Sequence, residues 1–294
     1  MLTNSTQLTP EARNAARLKA DAIIEAQKKI GIDAANIGYK DLSLGLEYLE
    51  KKESDGFPYV SANLCAANGA KTNVPAYRIL KANGIKVGIF GLVDDKDKPA
   101  GNNLNLDYSV TDPFNAAEKT VKELKEKGAD VVVLLSGMTL MRNKELANRV
   151  KGINFIISGG DVRMLGTPEK EGETIILAAM NRGKYVGVLH VGYFAGSLHF
   201  RMENEERDIR SRIAVLESQK RVFEGQAASM PDVKLKLDQI NNEEKEIQAR
   251  LAELGQTSSV IKNRMVSLEP SIAGREDIVK ILQKINKKVG PAGH

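Results

Sequence analysis

The stretch that decides the fold reads Gly-Ala-Asp-Val-Val-Val-Leu-Leu-Ser-Gly (128–137), then Asn-Lys-Glu-Leu-Ala (143–147), then Ile-Asn-Phe-Ile-Ile-Ser-Gly-Gly-Asp (153–161), and closes on Asn-Arg-Gly-Lys-Tyr-Val-Gly (181–187). Two short apolar runs each end in a loop of small residues, with a helical segment between them. Short apolar runs joined in this way read as buried parallel strands of a βαβ unit. Their loops lie at the carboxyl ends of the strands, where open α/β sheets bind ligands.

Working outward from this unit, Thr9-Pro10-Glu11 reads as an N-cap, a Pro in the first turn and an acid that favours the helix dipole. The helix runs to about Lys29 and stops at Gly31. Residues 33–38 form a strand with Tyr39-Lys40-Asp41 in the loop at its end, 42–52 an amphipathic helix, and 58–64 a strand ending near Asn63. Residues 77–81 and 86–93 flank Asn83-Gly84, a strong hairpin signal. The run Asp94-Asp95-Lys96-Asp97 reads as a solvated loop. Thr111-Asp112-Pro113 caps a helix over 113–127. Residues 174–179 and 184–201 read as long strands, 264–268 as a strand returning to the sheet, and 276–287 as a closing helix. The alternation gives the α/β class. Two adjacent β-rich hairpin regions predict two sheets, packed as a sandwich flanked by helices.

Between 203 and 255 the composition changes to Glu, Lys, Arg, Gln and Leu, with no strand pattern. Apolar residues fall at Ile209, Ile213, Leu216, Phe223, Ala227 and Met230, and again at Val233, Leu237, Ile240, Ile247, Leu251 and Leu254. This 3-4 spacing is that of a coiled-coil seam, and Ser229-Met230-Pro231-Asp232 breaks it with a turn. Facing residues of an antiparallel hairpin have numbers of constant sum. Residues 209 with 254, 216 with 247 and 223 with 240 satisfy this. Residues 213 with 251 and 227 with 237 share a sum one higher, and that sum also sets Lys220 opposite Glu244, the one seam position in each half that is not apolar, and predicts an ion pair across the seam. The domain expectation is an α/β domain over 9–202 and 260–288, with an inserted antiparallel coiled-coil hairpin over 203–256.

Composition narrows the function classes. Aromatic residues are 5% of the chain and Trp is absent, which argues against the stacking platforms of single-strand nucleic-acid binders. The net charge of +5 is spread without a basic stripe, so no nucleic-acid partner is expected. Cys65 is the only cysteine, which rules out an intrachain disulfide and a paired-cysteine metal site. It reads as a small buried hydrophobe. No apolar run reaches the length of a membrane span. Residues Met1 to Gln7 are polar and lack a signal-peptide core.

Residues 20–201 resemble the calcineurin-like metallophosphoesterases, most nearly their bacterial 5'-nucleotidase branch. Six segments carry the resemblance in order: Asp33 to Gly45, Phe57 to Asn63, Lys86 to Leu92, Gly128 to Gly137, Gly152 to Arg163 and Asn181 to Gly187. The resemblance implies a two-metal phosphoesterase site with His and Asp ligands and an Asn that bridges to phosphate. In such a site the metals activate a water and polarise the phosphate. Position by position, however, the family's catalytic-loop Asn-His falls on Tyr39 and Lys40. Its His after Leu-Ser falls on Gly137, and the two His beyond its Gly-Gly pair fall on Asp161 and Arg163, after Gly159 and Gly160. The family's first strand, with further ligands, has no counterpart in this chain. The three histidines, His190, His199 and His294, all lie downstream of these positions.

The expectation is therefore a degenerate, non-catalytic domain, a pseudoenzyme without cofactor. Internal ion pairs of Lys40 and Arg163 with Asp41 or Asp161 would stand in for the metals. It would bind a protein partner or self-associate through 203–256. A second reading is a metal-dependent nucleotide hydrolase whose other ligands come from upstream sequence. There Asp41, Asp161, Asn63 or Asp94 would be oxygen ligands for manganese or magnesium. A third is a metal-free anion site built from Lys40, Arg163 and the Gly159-Gly160 amides. By resemblance, the location is periplasmic or exported, and otherwise cytoplasmic.

Overall fold

A computed structural model describes residues 10–96, 107–160, 165–179, 183–194, 197, 199–224, 231–254 and 259–289. The chain divides into two compact units, residues 1–187 with 265–294, and residues 188–264.

The first unit opens with α1 (Pro10–Ile30) and β1 (Ala35–Asn36), then a 3-10 turn at Asp41–Leu44 and α2 (Leu46–Ser54). Next come β2 (Tyr59–Val60), β3 (Leu64–Ala66), β4 (Tyr77–Ala82), β5 (Ile85–Leu92), β6 (Tyr108–Val110) and α3 (Pro113–Glu126). The sequence-defining stretch supplies β7 (Val131–Ser136), α4 (Leu140–Arg149) and β8 (Phe155–Ser158), with β9 (Glu169–Glu171) and β10 (Thr174–Leu177) after it. Six of these strands form one sheet in the order β4-β5-β7-β8-β10-β9. Its centre is parallel, β5 with β7, β7 with β8, and β8 with β10. The outer pairs, β4 with β5 and β9 with β10, are antiparallel.

Local chemistry accounts for these elements. Asn83 (φ 51°) and Gly84 (φ 84°) both take positive φ, as a two-residue hairpin turn whose twist matches the strands requires. The Asp112 side chain caps α3 by accepting from the Asn115 N–H, with Pro113 at the first helical position. One core cluster buries Phe90, Leu92, Leu134 and Ile156 of the sheet against Phe114, Val121 and Leu124 of α3 and Leu146 of α4. Each such side chain contributes about 2 kcal/mol of transfer free energy. A second cluster gathers Ile24, Ile37, Leu42, Leu49, Phe57, Tyr59 and Val93.

Several expected boundaries shift. The strand expected over 33–38 is the two-residue β1, paired in parallel with β2. The strand expected over 58–64 splits into β2 and β3, because the Ser61 and Ala62 N–H groups between them bond to the carbonyls of Pro75 and Gly91. The helix expected from 42 begins as the 3-10 turn and is helical only from Leu46. Among the described residues four sheets form rather than two: the six-stranded sheet, a three-stranded sheet, and two-stranded pairs β1-β2 and β3-β6.

Around the second unit, the strand expected over 184–201 is β11 (Tyr185–Gly192) and, separately, β12 (Phe200–Met202). Two long helices come next, α5 (Glu205–Glu224) and α6 (Pro231–Glu253). After them is β13 (Ser259–Ser267), five residues earlier than the strand expected at 264. The small sheet has the order β11-β13-β12, with Phe200 to Met202 parallel to Ser259 to Ile261. In α5 the less exposed positions include 209, 213, 216, 220 and 223, and in α6 they include 233, 237, 240, 244, 247 and 251. Leu216 and Ile240 are buried. Lys220 Nζ lies 3.4 Å from Glu244 Oε2, Arg212 2.7 Å from Glu243, and Arg250 2.6 Å from Glu205. The turn residues 225–230 lie outside the described residues. The last helix, α7 (Glu276–Val289), belongs to the first unit with α1. There Arg275 Nη2 donates to the Lys29 carbonyl at 3.0 Å. Among the described residues, no helix is long and apolar enough to cross a membrane.

Candidate functional site

Register creates the candidate site. Leu92 of β5 sits opposite Ser136 of β7, which sits opposite Ser158 of β8. Three parallel strands therefore end level, and the segments leaving them converge at one edge: Asp94, Gly137-Met138 and Gly159-Gly160. The Gly137 N–H donates to the Leu92 carbonyl at 2.9 Å, and the Gly159 N–H to the Ser136 carbonyl at 2.8 Å. The loops lie so close that a Cβ on Gly160 would sit 2.3 Å from the Gly137 carbonyl oxygen and 2.4 Å from that of Met138. Only glycine fits there.

A buried polar network ties these loops together. The Ser136 hydroxyl donates to Asn143 Oδ1 at 2.6 Å. Asn143 Nδ2 donates to the Ser158 hydroxyl at 2.9 Å and to the Met138 carbonyl at 3.2 Å. The Met138 N–H returns to Ser136 Oγ at 3.1 Å. Each member is satisfied by another, which is what makes a buried polar network rigid rather than costly.

Beside it stands an ion-pair cluster that the sequence reading did not find. Arg142, in the first turn of α4, is 7% exposed and places one guanidinium nitrogen, Nη1, against both Asp94 Oδ1 and Asp95 Oδ1. The second contact measures 2.7 Å. Asp94 is itself 4% exposed and also accepts from the Lys96 N–H at 2.9 Å. The solvated loop expected for Asp94-Asp95-Lys96-Asp97 is thus wrong at Asp94, which is buried because Arg142 reaches it across the β5–β7 register. Burial pulls the Arg142 pKa down, but the Asp95 hydrogen bond and the Asp94 and Asp95 charges outweigh it and hold the pKa above the ordinary value. The Phe114 ring lies 5.5 Å below the guanidinium, a cation–π distance.

The positions singled out from sequence have varied fates. Asn63 is fully buried and clamps two segments: Nδ2 donates to the carbonyls of Val93 (2.8 Å) and Thr111 (3.1 Å), and Oδ1 accepts from the Val93 N–H (2.9 Å). Asp41 turns back to accept from the Gly38 N–H at 2.8 Å. Burial raises its pKa, against the lowering effect of that bond, and its charge in turn adds to the burial that raises Tyr59. Tyr39 lies near Tyr108, whose pKa is pushed up to about 12 by burial, then by Tyr39 and Asp107. Lys40 is exposed and forms no ion pair with Asp41, which points into its own turn, and the alternative partner Asp161 lies outside the described residues. Asp161 and Arg163 lie outside the described residues, as does His294. Cys65 is half-buried rather than buried. His190 is exposed on β11, and His199 precedes β12, its carbonyl accepting from the Ser259 N–H at 3.0 Å.

Asn36 was also missed. Its Nδ2 donates to the Leu92 carbonyl at 2.8 Å, while its buried Oδ1 has no partner among the described residues. The signal for both was position alone: Asn36 lies in β1, and Arg142 in the first turn of the helix that follows the Gly137 loop.

A two-metal centre needs several free oxygen or nitrogen donors converging on each ion. Here Asn63 is committed to backbone, Asp41 to Gly38 and Asp94 to Arg142, Gly137 has no side chain, and the buried Asn36 Oδ1 alone does not make a ligand set. Among the described residues, no group of three His, Cys, Asp or Glu is arranged to hold a metal. The residues described do not fit the metal pair that the fold resemblance implies.

No protein-family model matches the chain. It is 28% identical over 207 residues to the trifunctional nucleotide phosphoesterase protein YfkN of Bacillus subtilis, a match covering 58% of this chain and 14% of that protein. It is 27% identical over 212 residues to the 5'-nucleotidase of Vibrio cholerae, covering 61% and 38% respectively. The chain thus spans well under half the length of these relatives. Among solved structures, the calcineurin-like phosphoesterase YfkN of Bacillus subtilis shares the fold over 96% of this chain and 80% of that one, with a TM-score of 0.59 at 19% identity. The 5'-nucleotidase precursor of Thermus thermophilus gives a TM-score of 0.53 at 25% identity, over 59% and 38%. The homologues of this chain are 5'-nucleotidases and calcineurin-like metallophosphoesterases, and they support its place in that superfamily and in its 5'-nucleotidase branch.

Proposed function

We propose that this chain is a non-catalytic member of the 5'-nucleotidase-like metallophosphoesterases, a binding or scaffolding module. The observation that carries this reading is the commitment of the strand-end donors. Asn63, Asp41 and Asp94 each hold another part of the same chain, and the ligand position at Gly137 carries no side chain. The module would work through α5 and α6 as an antiparallel coiled-coil arm over 203–256, inserted in an α/β domain over 9–202 and 260–288. At 1.5 Å per residue the 23 residues of α6 span roughly 35 Å, a long lever for contact with a protein partner or a second copy. Support for a location outside the cytoplasm, in the periplasm where one exists, comes from one relative being a 5'-nucleotidase precursor.

The relatives favour a second reading, a metal-dependent phosphoric monoester hydrolase acting on nucleotides with manganese or magnesium. Several of them are named as nucleotide phosphoesterases or 5'-nucleotidases. The purified chain distinguishes the two. Elemental analysis for bound metal is run beside turnover of an aryl phosphate and of nucleotides with added manganese. The proposal expects no turnover and no stoichiometric metal. Metal together with turnover establishes the hydrolase instead.

A further inference from the structure

We infer that Asp94 and Asp95, at the end of β5, form a cation site whose occupant is the chain's own Arg142 guanidinium. The inference rests on the non-catalytic reading above and gives that reading a mechanism.

Three observations carry it. First, Arg142 is in an unfavourable place for a positive charge. It lies in the first turn of α4, where the helix dipole repels cations, and it is almost fully buried. Only strong local compensation holds it there, and Asp94 and Asp95 supply it. Second, the guanidinium acts as a charge and not as a fork. An Arg chosen for recognition binds a carboxylate through two parallel N–H bonds. Here both carboxylates converge on the single nitrogen Nη1, and Nε is buried without a partner. Two carboxylates on one positive centre is also how a small hard cation is held, with waters and further oxygens completing its shell. Third, the cluster sits where the parallel strands end, at the edge where such sheets bind ligands. The backbone nitrogen of Asp94 lies 3.8 Å from where a Gly137 Cβ would stand.

The test uses the full chain with manganese as probe. Arg142→Met removes the charge and keeps most of the stem. The expected result is a manganese affinity at least roughly tenfold above wild type by equilibrium dialysis, and a manganese-dependent rise in melting temperature. Adding Asp94→Asn and Asp95→Asn should abolish the gain. A folded Arg142→Met protein that binds manganese no better than wild type overturns the inference. So does a gain that survives loss of both carboxylates. If Arg142→Met is unfolded without metal, recovery of its native circular dichroism on adding manganese supports the inference, and failure to recover overturns it. Arg142→Lys restores a point charge and is expected to fold without gaining manganese, and a gain there also counts against the idea. Turnover by wild type with metal would refute the non-catalytic reading by itself, because these comparisons read affinity at Asp94 and Asp95 and not activity.

Discussion

Replacing Asn63 by Asp changes hydrogen-bonding chemistry and almost no shape. In the native protein the amide nitrogen serves the carbonyls of Val93 and Thr111 at 2.8 and 3.1 Å, and the amide oxygen takes the Val93 N–H at 2.9 Å. An ionised carboxylate keeps the last bond and turns its second oxygen on two carbonyls that have lost their donor. A buried acceptor without a partner costs about 1–3 kcal/mol, so the pair costs about 2–6 kcal/mol. The introduced carboxyl escapes part of this by holding a proton, which then serves one carbonyl and leaves about 1–3 kcal/mol of the penalty. Its folded pKa is therefore raised above the unfolded value near 3.9. The folded state then binds a proton that the unfolded state has released. Stability of Asn63→Asp falls as pH rises above about 4, by about 1.4 kcal/mol per pH unit, until the folded pKa is passed. Urea unfolding of wild type and variant near pH 4 and near pH 7 reads both quantities. The expected result is a destabilised variant whose deficit is larger at the higher pH. A variant within about 0.5 kcal/mol of wild type at neutral pH, or a deficit equal at both pH values, refutes the clamp and leaves the Asn63 amide free for another task.

Two further predictions concern charges. Burial raises the Asp41 carboxyl, so the folded state holds its proton more tightly than the unfolded state. This contribution is fully present below the unfolded pKa near 4 and is lost as pH rises through the folded value. Asp41→Asn keeps an acceptor for the Gly38 N–H and removes the titration. It should be more stable than wild type at pH 7 by thermal melting, with the difference closing in acid, and a less stable variant at pH 7 would show that the fold needs the carboxylate's charge. Lys220→Glu sets two carboxylates face to face at a part-buried position and should lose roughly 1 kcal/mol. Adding Glu244→Lys should recover most of it in chemical denaturation, and a double variant as weak as the single rejects that pairing.

Much of the fold was legible because it is written in short-range patterns. The apolar runs 131–136 and 155–158, with Gly after each, mark β7 and β8. Asn83-Gly84 marks the β4–β5 turn through a φ requirement that few other residues meet. Boundaries were less legible at 33–38 and 58–64, where β-rich sequence yields only two- and three-residue strands. Backbone groups there, such as the Ser61 and Ala62 N–H, bond to Pro75 and Gly91 of distant segments, and strand propensity carries no information about those partners. The candidate site was legible as a place and not as a set of contacts. Gly137, Gly159 and Gly160 were found because small residues at strand ends are a local signal.

What the sequence determined by itself is therefore the order of elements, the parallel β7-α4-β8 unit and the absence of histidine from positions where the resembling family carries it. Tertiary structure alone decided how the remaining polar groups are used. Asp94 and Arg142 are 48 residues apart and meet because β5 and β7 align Leu92 with Ser136. Asn63 meets Val93 and Thr111 across 30 and 48 residues. Hydrophobic periodicity reports which face a residue turns to the core. It does not report which buried charge a distant carboxylate will find, because that choice is made by strand register and by the desolvation that forces each buried polar group to take whatever partner the register brings.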